Sequence, residues 1–275
     1  MDMDRRRFVR GAGVILGTLS VGSGVAGAQE FHDGHSPLTR GEWDRMVLGT
    51  GREPFTCVAT PAMTEGPFYY ETSLERRSLA EGRLGEPLRL GIRLAGIGVN
   101  QLCQPLPGAV IDVWHTDASG LYSNVGPDLQ PVDTTGQTFL RGHQFTDDNG
   151  YAEFDTIIPG WEIVAAPPPR IVSRRTTHIH VKAYHGRNVL TTQLFFADDL
   201  TDKLYSATEP YRSHAMLSAP GLDHPYPRIR NGQDPFFPRS GATPMTVERI
   251  NGVLTAKATI GVMAGGHPGV RTLFR

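Results

Sequence analysis

A chain of 275 residues, 39% hydrophobic with 32 Gly and 21 Pro, has the composition of a turn-rich globular protein. It is long enough for one large β domain or two small ones. A net charge of −1 removes the electrostatic case for nucleic acid as a partner.

Along the chain, Arg5-Arg6-Arg7-Phe8-Val9-Arg10 precedes an apolar, small-residue run over 11–25, and Ala26-Gly27-Ala28 fits an Ala-x-Ala cleavage site. Residues 1–28 read as a twin-arginine signal peptide, which predicts a periplasmic or secreted protein. The run is Gly-rich and too short for a comfortable span, so no transmembrane segment is expected in the mature chain. Cleavage would remove four Arg and two Asp, leaving 23 Lys+Arg against 26 Asp+Glu, a net of −3. Twin-arginine substrates cross the membrane folded, a route that suits a protein acquiring its metal in the cytoplasm.

Residues 29–55 are expected to form a tail and a short helix, with Ser36 as cap, Pro37 in the first turn and Gly49 after Leu48 as the stop. No other strong helix is expected. Residues 56–275 read as one β domain. Leu88, Leu90, Ile92 and Leu94 alternate with Arg89, Gly91 and Arg93. Ala109, Ile111 and Val113 alternate with Val110, Asp112 and Trp114. Strands are also predicted over 152–157, 177–184, 189–196 and 254–262, with Asp148-Asn149-Gly150 and His185-Gly186-Arg187-Asn188 as turns. Short strands at this spacing predict an all-β fold, an antiparallel β-sandwich with long loops. Residues 201–248 read as irregular, with a short helix start at Asp198-Asp199-Leu200-Thr201-Asp202. Cys57 and Cys103 are the two cysteines; an oxidising periplasm favours their pairing, and two free thiols are the other reading. Sandwich edges and the N-terminal helix offer surfaces for a homo-oligomer.

His178-Ile179-His180 carries the most chemistry. In a strand, residues i and i+2 share a face, so both imidazoles would converge on one side while Ile179, Val181 and Ala183 anchor the other. Taken alone, two histidines at this spacing are better explained by a solvated strand face.

Four ordered segments decide between those readings. They are Thr60-Pro61-Ala62-Met63-Thr64-Glu65-Gly66-Pro67-Phe68-Tyr69; the run from Pro107 to Ser123, with Asp112-Val113-Trp114-His115 and Gly120-Leu121-Tyr122; Phe139-Leu140-Arg141-Gly142-His143-Gln144-Phe145-Thr146-Asp147, followed by Gly150 and Phe154-Asp155-Thr156-Ile157; and Arg175-Thr176-Thr177-His178-Ile179-His180-Val181. From about Cys57 to Tyr205 the chain resembles the intradiol ring-cleavage dioxygenases. The resemblance implies a β-sandwich holding a non-haem Fe(3+) between two tyrosinates and two histidines. It implies an enzyme that inserts both atoms of O2 between the hydroxyl-bearing carbons of a catecholic substrate. By the same resemblance Tyr122, His178 and His180 match metal ligands, Arg175 matches the arginine that stabilises activated substrate, and Gln193 matches a pocket glutamine. Ferric iron is a hard acid that suits anionic phenolate oxygen, and fixed positive charge belongs where negative charge develops.

The pattern breaks at the second tyrosine. Relatives carry Pro-Gly-Trp-Tyr; here the run is Pro159-Gly160-Trp161-Glu162, followed over 163–173 by an inserted loop with Pro167-Pro168-Pro169. Three readings stand. Glu162 supplies an anionic oxygen as a metal ligand; Tyr151 or Tyr69 reaches in; or the position is lost. The last reading makes the protein a degenerate sandwich that binds metal or a phenolic ligand without turnover. Glu162 has its own bland reading, a solvated loop residue.

Overall fold

Leu88, Leu90, Ile92 and Leu94 are fully buried, and the arginines between them face the other way. That alternation runs through β2 (Pro87–Ile97) and sets one wall of the core. The computed structural model of the protein describes residues 55–98, 102–162, 175–214 and 228–263. The expected signal peptide, the helix predicted after Ser36 and the insert over 163–173 lie outside them.

The strands before and after β2 are β1 (Phe55–Thr56), β3 (Leu102–Pro105), β4 (Val110–Trp114), β5 (Arg141–Phe145), β6 (Tyr151–Ile157), β7 (His178–His185), β8 (Asn188–Phe195), β9 (Thr246–Ile250) and β10 (Val253–Met263). They form two sheets. The first has the order β1-β3-β2-β10-β9, with β6 also paired to β2 from Pro87↔Ile157 to Arg93↔Tyr151. The second has the order β5-β4-β7-β8. Ile111, Val113, Ile179 and Val181 of the second sheet meet Leu88, Leu90, Phe154 and Ile260 of the first in one core cluster. Burying each such side chain contributes about 1.5–3 kcal/mol. The molecule is the expected all-β sandwich.

Two details differ from the expectation. The second sheet is antiparallel throughout, but β10 runs parallel to β2, with Leu88↔Leu254 through Ile97↔Met263, so the first sheet is mixed. A period of two fixes which face a residue takes and says nothing of strand direction. The described residues within 201–248 also hold more regular structure than expected. Helix α1 (Asp198–Ala207) starts where the sequence indicated and is longer; α2 (Tyr211–His214), a 3₁₀ turn (Asn231–Gln233), α3 (Phe237–Ser240) and the start of β9 follow. The residues that alternate with β2's leucines are buried as well. Arg89 lies beside Glu153 and Asp155, and Arg93 lies over the Tyr151 ring at 5.2 Å.

Cys57 and Cys103 are disulfide-bonded, with 5.9 Å between Cα atoms, which ties the segment after β1 to β3. On the second sheet the outward face carries Asp112 and Trp114 from β4, His178, His180 and Lys182 from β7, and Gln193 from β8. Trp114 and Gln193 flank His180 in register.

Candidate active site

His178 and His180 occupy one face of β7, as period two requires, with Nε2 atoms 3.0 Å apart. His178 Nδ1 lies 2.7 Å from Thr176 O. A carbonyl only accepts, so Nδ1 carries the proton and Nε2 presents its lone pair to the other ring. Burial, helped by the Arg175 charge, pushes the His178 imidazole down to about 3. Burial and the neighbouring His178 hold His180 well below the usual range. Both rings are therefore neutral at physiological pH. Two nitrogens bound at about 2.1 Å to one ion, at a right angle, stand about 3.0 Å apart. The pair has the neutral charge state and the separation that metal ligation needs.

Around it the fold supplies rigid walls. Trp114 stacks on His180 with ring centres 4.7 Å apart and planes 8° from parallel. The 64–69 segment passes over the pair: a Cβ on Gly66 would lie 3.7 Å from His180 Cε1, and Phe68 stacks on Tyr122 at 4.6 Å. Lys182 Nζ bonds Glu65 Oε2 at 2.5 Å, and Gln193 Nε2 donates to Thr64 O at 2.9 Å, which pins this segment to the sheet.

Tyr122 enters from the loop after β4. Asp117 Oδ1 accepts from the Ser119 and Leu121 amides, and Gly120 takes a left-handed turn at φ 76°. The Tyr122 ring centre lies 6.1 Å from that of His180. Its hydroxyl donates to Glu162 Oε2 at 3.1 Å. Burial, with the Glu162 charge adding to it, raises the phenol well above its ordinary value, while Arg175 opposes both.

Glu162 is 7% exposed, so it is not a solvated loop residue. The loop that carries it has three consecutive carbonyls capped by hydroxyls. Tyr211 donates to Ile158 O at 2.6 Å, Tyr205 to Pro159 O at 2.5 Å and Thr116 to Gly160 O at 2.7 Å. Gly160 approaches so closely that a Cβ there would stand 2.4 Å from Ala118 O.

Arg175 Nη2 donates to Gln193 Oε1 and Nε donates to Asp234 Oδ2 at 2.9 Å, with the guanidinium over the Phe236 ring at 4.6 Å. Burial works against the Asp234 charge, but Arg175 beside it wins and holds that carboxyl below its ordinary value. Asp234 Oδ2 also accepts the Thr176 amide at 2.8 Å. Sequence reasoning did not find Asp234. It sits in Asn231-Gly232-Gln233-Asp234-Pro235, which reads as a plain turn, and meets Arg175 across 59 residues.

All six residues singled out in the sequence lie around this face. The alternative tyrosines spend their rings elsewhere. Tyr69 donates its hydroxyl to Asp112 Oδ2 at 3.1 Å and lies 2.9 Å from Tyr184 Oη, while Tyr151 stands in the other sheet. Among the described residues no three His, Cys, Asp or Glu side chains converge as a metal group. Any ion at the histidine pair would thus depend on the Tyr122 phenol, and Glu162 meets the site through that phenol. A separate cavity of about 470 Å³ opens at the β7–β8 hairpin between Leu94, Lys182, Val189 and Met263, and neither histidine nor Tyr122 lines it.

A family model described as "Dioxygenase" matches residues 64–219. The chain is 32% identical over 156 residues to a chlorocatechol 1,2-dioxygenase of Rhodococcus opacus, covering 51% of this chain and 57% of that protein. It is 30% identical over 152 residues to a catechol 1,2-dioxygenase of Acinetobacter baylyi, covering 51% and 47%. The chain thus spans about half the length of these relatives. Among solved structures, an intradiol ring-cleavage dioxygenase from Tetranychus urticae matches with a TM-score of 0.59 at 25% identity, covering 74% of this chain and 94% of that one. The dioxygenase domain of a dioxygenase–carbohydrate-binding protein fusion from Streptomyces sp. SirexAA-E matches with a TM-score of 0.50 at 29% identity, covering 75% and 99%. Sequence motifs, sandwich and family match agree: the chain belongs to the intradiol ring-cleavage dioxygenase family.

Proposed function

We propose that the protein is a non-haem iron(III) dioxygenase that cleaves a catecholic ring between its two hydroxyl-bearing carbons. Both atoms of O2 enter the product, a muconate. The observation that carries this is the buried, neutral histidine pair with facing Nε2 atoms 3.0 Å apart, beside a phenol and a fixed guanidinium. His178, His180 and Tyr122 would hold the ion, with Glu162 on hand as a further anionic oxygen donor in place of the family's second tyrosinate. Bound there, ferric iron supplies a Lewis acid for two adjacent hydroxyl oxygens.

The chain's own residues do the rest. Asp234 and Gln193 fix the Arg175 charge, and a charge held in place needs no reorganisation when negative charge develops on the substrate. Glu162 accepts a hydrogen bond from the phenol of Tyr122, which is where a base must sit to take its proton. The 64–69 segment and Trp114 exclude water from the histidines. The proposal also places the mature chain in the periplasm or outside the cell, supported by the twin arginines and the Ala26-Gly27-Ala28 site.

Glu162 favours a second reading, a protein that binds metal or a phenol without turnover. Iron content, visible absorption and oxygen uptake over a catechol panel separate the two. The expected result is stoichiometric iron, a tyrosinate-to-iron charge-transfer colour that Tyr122→Phe abolishes, and oxygen uptake matched to muconate. A colourless protein with stoichiometric zinc overturns the iron reading. A coloured, iron-loaded protein that takes up no oxygen establishes the second reading.

A further inference from the structure

Tyr122 lies in a loop, yet both of its backbone polar groups are held by one side chain. The Tyr122 amide donates to Gln130 Oε1 at 3.0 Å, and Gln130 Nε2 donates to Tyr122 O at 2.9 Å. This two-point contact has the pattern of a paired strand residue, supplied by a side-chain amide instead of a neighbouring strand. Gln130 and Thr134 are each 1% exposed. Thr134 Oγ1 donates to the same Tyr122 carbonyl at 2.6 Å, and Gln130 Nε2 reaches Val132 O at 3.0 Å. On the other side Arg141 fixes Ser123 through its hydroxyl and its carbonyl, both at 2.8 Å. Gln130 touches neither histidine nor Arg175. Gln130 Nε2 also lies within reach of Val125 O and Thr134 Oγ1, but Tyr122 is the residue that the amide meets at both its oxygen and its nitrogen.

We propose that Gln130 is a positioning residue for Tyr122: its amide fixes the backbone from which the phenol projects toward the histidine pair. The proposal rests on the reading of Tyr122 as an iron ligand, and a metal-free measurement keeps the two apart. Gln130→Met preserves volume and removes every hydrogen bond of the amide, including both to Tyr122, and leaves Thr134 on the Tyr122 carbonyl. In metal-free protein, hydrogen exchange at the Tyr122 amide should accelerate at least about tenfold, while amides of β7 keep their protection. In iron-loaded protein the tyrosinate charge-transfer band should shift and weaken, and the iron dissociation constant should rise about tenfold, the size seen when partners of a metal ligand are removed.

Gln130→Glu is the conservative control. Its carboxyl offers an acceptor to the Tyr122 amide and, protonated by burial, a donor to the carbonyl, so protection and band should largely return. It also guards against a Met variant that does not fold. Placing Q130M on the Y122F background should leave iron affinity where Y122F alone puts it. Unchanged amide exchange in Q130M overturns the proposal, as does lost protection with an unaltered band. If the wild-type protein binds iron without colour, the reading of Tyr122 as an iron ligand fails, and the exchange arm alone still decides whether Gln130 holds Tyr122.

Discussion

Arg175 is the side chain whose placement depends most on a residue the sequence did not advertise. A guanidinium buried to 6% exposure is stable only if its charge is met, and Asp234 meets it while also accepting the Thr176 amide. Asp234→Asn keeps the shape and removes the charge. The expected outcome is a fall in kcat/KM of about 100-fold, because a displaced guanidinium loses its alignment with the substrate. Iron content and the charge-transfer band should stay near wild type, since no ligand is touched. An unchanged kcat/KM would show that Gln193 alone positions Arg175. His178 and His180 were legible from their spacing because a strand has only two faces. Asp234 and Gln130 were not: Asp234 meets Arg175 across 59 residues, Gln130 meets Tyr122 only once the loop between them closes, and strand or helix periodicity holds no record of such contacts.

At the scale of elements, the strands with clean alternation were legible: β2, β4, β6, β7, β8 and β10 fall where period two placed them. The others lack that signal. β3 ends in Pro105, β5 contains Gly142, and β9 is an edge strand with no fully buried side chain. The disulfide secures one of the weak ones. Cys57–Cys103 closes 46 residues of chain, which in the chain-entropy account contributes about 4 kcal/mol by restricting the unfolded state. Cys103→Ser should lower the unfolding free energy by up to that amount, read from the denaturant midpoint. A midpoint equal to that of the oxidised wild type would show that the crosslink adds nothing. The loop bearing Glu162 is an element of another kind: without helix or strand, it is held by three buried hydroxyls from α1, α2 and the segment after β4.

Across the whole molecule, buried neutral histidines set the acid limit. Burial pushes His115 down to about 4 and His178 to about 3, and His180 lies well below the usual range. The unfolded chain protonates each near 6.5 while the folded chain does not, so the unfolded state binds more protons and stability falls as pH drops below about 6.5. Asp112, raised to about 6 by burial, acts in the opposite sense between about 4 and 6, and Asp117, also raised by burial, acts the same way: two groups against three. The metal-free protein should therefore melt several degrees lower at pH 5 than at pH 7.5. Equal melting temperatures would mean that these rings bind protons in the folded state.

By itself the sequence determined the faces: which side of each alternating strand enters the core, and that both histidines stand together on the opposite side. It also determined, through four ordered motifs, the family to which the sandwich belongs. Tertiary structure alone decided that β10 lies parallel to β2, that Glu162 is buried against Tyr122, and that Asp234 and Gln130 hold Arg175 and Tyr122. Alternation is a local consequence of backbone geometry, so a single strand records it. Strand partners, direction and the reach of a loop carboxylate are fixed only when distant segments compete for the same buried space.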